Sequence, residues 1–200
     1  MDATEPVNQL AEALLAAAHD QANRRFTAAW LGWRDRGRLL PQRSAIDLGD
    51  IKLLLDRVIL LELVSADEVL VKVAGSQLRD HGDFEATGKN LRGLTPAEQW
   101  AVRHWRINAV ATQPCGARMM NVDTRTRSGE GVTFETVTLP IEPDEPEKPR
   151  LVISHVAVLG GIYDPPAKDR PQLAWLPGEF RFLDIGAGIP ANIAPKGYPR

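Results

Sequence analysis

Two apolar runs rich in β-branched residues, Val58–Val64 and Val69–Ala74, flank the short polar turn Ser65-Ala66-Asp67. Strand-forming residues on either side of a brief Asp-containing linker predict a β-hairpin. Gly75 ends the second strand, and a polar stretch punctuated by Gly82, Gly88 and Gly93 leads on to Thr95. The segment from Arg57 to Thr95 organises the rest of the chain. A hairpin that hands over to short helices can hold a ligand, but it supplies no catalytic group by itself.

Ahead of the hairpin, Thr4 is suited to cap a helix and Pro6 to sit in its first turn. Leu10, Ala11, Leu14, Leu15 and Ala18 recur at helical spacing. A second helical pattern runs from about Asn23 to Arg36, with Phe26, Ala29, Trp30 and Trp33 on one face. His19-Asp20-Gln21 either separates the two helices or lies inside one long one. The aromatic face must bury against something. Core packing is the default. The alternative is a homodimer interface at Phe26, Trp30 and Trp33, since Trp and Arg together are common interface anchors. Pro41 forces an extended crossing, and Asp47 caps a short helix through Leu55.

Beyond the hairpin, Gln77–His81 suggests one helical turn. Thr95-Pro96-Ala97-Glu98 reads as a capping box opening a helix to about Thr112. Its apolar stripe contains Ala97, Trp100, Ala101, Trp105 and Ala111, with His104 and Asn108 inside it and Arg103 and Arg106 toward solvent. Three more strands are expected at Ala117–Thr126, Val132–Ile141 and Leu151–Leu159. The last is apolar on both faces: Leu151, Ile153, His155, Ala157 and Leu159 point one way, and Val152, Ser154, Val156 and Val158 the other. Such a strand needs cover on both sides of its sheet, and the N-terminal helices can supply one of the two covers. From Tyr163 onward, repeated prolines exclude long regular structure, although Phe180, Phe182, Leu183 and Ile185 could dock. The division expected is an N-terminal helical segment 1–45, a central domain 46–162 and a Pro-rich tail 163–200.

Composition narrows the functions. Two hundred residues, 44% of them hydrophobic, suit one domain with appendages, and a net charge of −2 gives no general attraction to nucleic acid or anionic membrane. Cys115 is the single cysteine, which fits a reducing compartment and rules out a cysteine-rich metal site. No run approaches ~18 apolar residues, and Asp2 and Glu5 stand where a signal peptide would be basic. A cytoplasmic protein is expected.

The element order gives an α+β fold: a five-stranded antiparallel sheet with helices inserted after its second strand. The pieces WLGWRDRGRLLPQRSAIDLGDI, VKVAGSQLRDHGDFEATGKNL, VTFETVTLPIEP and LVISHVAVL, in this order, resemble the short stand-alone PAS-like proteins common in alphaproteobacteria. The resemblance covers roughly Phe26 to Leu159. It implies a PAS fold and a non-enzymatic sensory or regulatory role, through a small ligand, a signalling protein partner or a homodimer. It leaves the cofactor unknown.

PAS domains hold haem, flavin or small metabolites between sheet and inserted helices. A haem needs an axial ligand, and His104 and His155 are the candidates, with His81 a third. Each is otherwise a hydrogen-bonded structural histidine. Cys115 follows Pro114 in a turn rather than lying in a helical Asn-Cys motif, so a flavin-adduct thiol is set aside. A metabolite pocket needs apolar walls and a few convergent polar groups, which Trp100, His104, Asn108 and His155 could provide. A ligand-free interaction module is the second reading. A small enzyme using a pair such as His81 and Asp83 is the third. No phosphate-binding loop, catalytic triad or basic aromatic stripe is present in the sequence.

Overall fold

Strands buried along both faces and two packed helical layers determine the architecture. The computed structural model describes residues 4–35, 37–65, 67–78, 85–125, 131–162 and 176–190. Strands β1 (Val58–Leu63), β2 (Val69–Ala74), β3 (Gly116–Arg125), β4 (Gly131–Ile141), β5 (Arg150–Ile162) and β6 (Leu176–Leu183) form one antiparallel sheet in the order β2-β1-β5-β4-β3-β6. The hairpin expected at residue 58 is β1 and β2, and β1 also pairs with β5, placing Val58 opposite His155.

The sheet has six strands rather than the five expected. β6 comes from the Pro-rich segment and pairs along β3, with Ala117 opposite Phe182 and Met119 opposite Phe180. Pro177 sits on this terminal strand, where a missing N–H costs no ladder bond on the open side.

One face of the sheet, the outer face, is covered by helices α1 (Thr4–Ala17) and α2 (Gln21–Gly32). Phe26, Trp30 and Trp33 pack there against Val58, Leu60, Val137, Leu139, Ile141, Leu151 and Ile153. The chain does break between the two helices: the Asp20 carboxylate accepts from the backbone N–H of Ala22 at 2.7 Å and caps α2. α2 ends at Gly32, before the expected Arg36, which lies outside the described residues.

The opposite, inner face carries Leu61, Val152, Ala117 and Phe182, and is covered by the segment after β2 and by helix α3 (Ala97–Thr112). β5 is thus buried on both faces as its sequence requires. Gly75 turns the chain off β2 at a point where a Cβ would overlap the Asp56 backbone carbonyl. The helical turn expected at Gln77–His81 is described only over residues 76–78.

Two expectations about α3 are corrected. The capping box does not form. Thr95 closes the short 3-10 turn Leu91–Leu94 instead, its hydroxyl donating to the Leu91 carbonyl at 2.7 Å, and the helix starts after Pro96. The helix is also rotated relative to the expected stripe. Val102, Ala109, Val110 and Ala111 are buried, whereas Ala97, Ala101 and Asn108 are exposed. Small residues let the helix approach the sheet, and the tryptophans flank the contact. Arg103 and Arg106 consequently do not point freely to solvent. Arg103 Nη1 donates to Thr95 Oγ1 at 3.0 Å, and the Arg106 guanidinium lies 3.9 Å from the Phe180 ring centroid. No described helix is long and apolar enough to cross a membrane.

Candidate functional site

The two faces of the sheet differ in how completely they are filled. The outer face is a closed core. Phe26 and Trp30 are 0% exposed and Trp33 5%, so none of the three presents a surface to a second copy; they are core residues of one protomer. Trp30 Nε1 donates to the Pro140 carbonyl and Trp33 Nε1 to Asp50 Oδ2, both at 2.9 Å, which satisfies the polar tips of the buried rings.

A charged network is set into this core. Glu135 projects outward from β4 and is 0% exposed. Its carboxylate accepts from the backbone N–H of His19 at 2.9 Å and of Asp20 at 2.8 Å, from Asn23 Nδ2 at 3.0 Å, and from Arg118 Nε at 2.6 Å. Desolvation acts to raise the Glu135 carboxyl. The bonds from Asn23, the His19 backbone, Arg118 and the Asp20 backbone outweigh it and hold the group down at about 2.

Arg118, on β3, uses its other nitrogens on His19 Nδ1 at 2.8 Å and Glu179 at 3.2 Å. Because a guanidinium only donates, His19 Nδ1 must be the acceptor. Asn23 also meets His155: Asn23 Oδ1 lies 2.7 Å from His155 Nδ1, and the Phe26 ring stacks on the imidazole. Burial, helped by the Arg57 charge, pushes His155 down to about 4, against the opposing pull of Asp20 and Asp56. The result ties the α1–α2 joint to three strands through one carboxylate.

One signal for this network is in the sequence. Glu135 shares strand parity with Val137, Leu139 and Ile141, all of them buried, so a carboxylate at that position had to find partners. Arg118 and Glu135 form a buried ion pair. The side chains of Asp123 and Arg125, and Arg127, lie outside the described residues.

The inner face is less completely filled. Trp100, Trp105, Ile107 and Phe180 are only half-buried where they pack against its core, and His104 lies against Trp100 with ring centroids 5.2 Å apart. Arg92 reaches over the Trp100 ring, 5.9 Å from its centroid.

Of the four side chains expected to converge on a ligand, the structure brings together Trp100 and His104. Asn108 is on the same helix but exposed, because the helix is rotated. His155 is on the other side of the sheet, since β5 alternation sends it out with Ile153. His155 therefore does not fit as an axial ligand for a group held under the inserted segment. His81 and Asp83 lie outside the described residues. Cys115 is fully buried, and burial together with the Asp184 charge pushes its thiol up to about 12, which suits a packing residue rather than a nucleophile.

No curated protein matches this chain. A family model described as PAS domain matches residues 18–154, a span that starts at the α1–α2 joint and ends within β5.

Proposed function

The chain belongs to the PAS family, whose members are sensory, regulatory and interaction modules, and on that premise we propose that it binds a small molecule between the inner face of the sheet and helix α3 with residues 85–96 that lead into it. The observation carrying this reading is that Trp100, Trp105, Ile107 and Phe180 are half-buried around an apolar floor on the inner face, whereas the aromatic rings of the outer face are buried. A face of that kind has apolar walls and a few polar groups, which is what a small ligand requires. Trp100 and His104 are the ligand-facing pair on α3. The protein acts by binding, and a partner or a second copy receives the response.

Native mass spectrometry of the purified protein, with an absorption spectrum of the same sample, tests this. Excess mass, or a chromophore band, that is lost in His104→Leu while the melting temperature holds supports the reading. An apo mass, together with no protein-observed NMR shift at Trp100 or His104 in a metabolite screen, refutes it.

A second reading, a ligand-free interaction module, is favoured by Leu53 and Leu48. They stand 79% and 51% exposed on the short turns before β1. Leu53→Ser would then abolish partner capture and leave any bound ligand untouched.

A further inference from the structure

Asn121 is a buried amide in an apolar setting. It lies on β3, opposite Phe134 of β4, and is 1% exposed. Alternation puts it on the inner face with Met119 and Ala117, while Arg118 takes the outer face. Phe134 in turn faces Val158, and with Val132 and Val156 it forms a small apolar cluster against Ile59 and Leu78.

Asn121 Nδ2 meets no hydrogen-bond acceptor among the described residues. A buried donor left without a partner costs about 1–3 kcal/mol, and native folds retain few of them. A leucine would fill such a place without that cost. The backbone also singles out this position. The β3 register shifts between Met120 and Asn121 against β6, and between Asn121 and Thr124 against β4. Irregularities of this kind re-aim a side chain.

We propose that Asn121 is the polar anchor of a ligand subsite on the floor formed by Phe134, Val156 and Val158, and that the subsite takes a small, largely apolar molecule with one carbonyl oxygen. This rests on the reading of the inner face as a ligand site and adds the chemistry that site selects. The amide is neutral and its Nδ2 is a donor that a ketone, ester, amide or carboxyl oxygen satisfies.

The test uses octan-2-one and octanoate as probes, followed by protein-observed NMR that includes side-chain amide signals, on wild type and Asn121→Leu. Octan-2-one, octanoate or both are expected to move the Asn121 side-chain signals and the backbone amides of Phe134 and Val156. Asn121→Leu is expected to weaken the probe that binds at least tenfold while the free protein melts no lower. If Asn121→Leu does not fold, Asn121→Ser is measured in its place, with the same tenfold loss expected. Equal binding of that probe to wild type and variant overturns the anchor and leaves the inner-face site standing. A lower melting point with unchanged binding overturns it too, by making Asn121 a structural contact. No shift anywhere on the inner face with either probe, together with an apo native mass, overturns the anchor and the ligand reading at once.

Discussion

Replacing Glu135 by Gln keeps the shape of the side chain and removes its charge. In the folded protein that carboxylate accepts two backbone N–H groups, the Asn23 amide and the Arg118 guanidinium, with no access to water. A carboxyl held at about 2 rather than at its ordinary 4.5 contributes roughly 3 kcal/mol of stability near neutral pH. Removing one partner of a buried ion pair costs about 3–5 kcal/mol, because Arg118 remains charged in a dry site. The two routes agree, so Glu135→Gln is expected to lose about 3–4 kcal/mol at pH 7. In a chain of this length that is a fall of roughly 6–16 °C in melting temperature.

The pH dependence sharpens the test. The folded-state carboxyl lies below its unfolded value, so its contribution is complete above about pH 4.5 and is lost as pH falls toward about 2. Urea melts of wild type and Glu135→Gln at pH 7, 5, 4 and 3 should therefore converge on acidification. A loss below about 1 kcal/mol at pH 7 would refute the argument, as would a gap that stays constant to pH 3. Either result would mean that the network is not held by an ionised carboxylate.

Four further outcomes follow from the same structure. His155 is held at about 4, below its unfolded value near 6.5, so wild type should lose stability on acidification from about pH 6.5 to 4; melts of His155→Phe should lack that slope. Trp33→Ala should cost about 3–5 kcal/mol by denaturant melting, and sedimentation should show an unchanged oligomeric mass, because the ring lies inside one protomer. Asp20→Ala removes the α2 cap and should cost about 1 kcal/mol, read from urea midpoints. Gly75→Ala should fail to reach the native near-ultraviolet circular dichroism signal, since its Cβ overlaps the Asp56 carbonyl.

The parts of the fold that could be read in the sequence are those with a short-range pattern. The β1–β2 hairpin and the double-sided β5 are short apolar runs rich in β-branched residues and bounded by turn residues, and the chain break at Asp20 carries its own capping carboxylate. β6 was hidden because prolines surround it and its strand conformation is supported by pairing with β3, far away in sequence. The phase of α3 was misread because its tryptophans dominate the helical wheel, while alanines and Val102 make the actual contact. Trp100 and His104 were found together because they share a helix. His155 was grouped with them although strand parity alone does not say which layer covers which face. The links from His19, Asp20 and Asn23 to Glu135 span more than a hundred residues, beyond the reach of any local pattern.

Where the chain can be cut follows from Glu135. The sheet begins at Val58, and by sequence a domain starting at residue 46 looks self-sufficient. Yet three of the four groups that donate to the carboxylate of a central strand lie at positions 19 to 23, on the far side of that cut. An excised 46–162 fragment would keep Arg118 on Glu135 but lose the His19, Asp20 and Asn23 donors, and it would bare the face of Val137, Leu139, Ile141 and Ile153. The smallest autonomous unit therefore has to begin upstream of His19. For anyone expressing or transplanting this module, α1 and α2 travel with it as part of the cargo rather than as a leader to be trimmed.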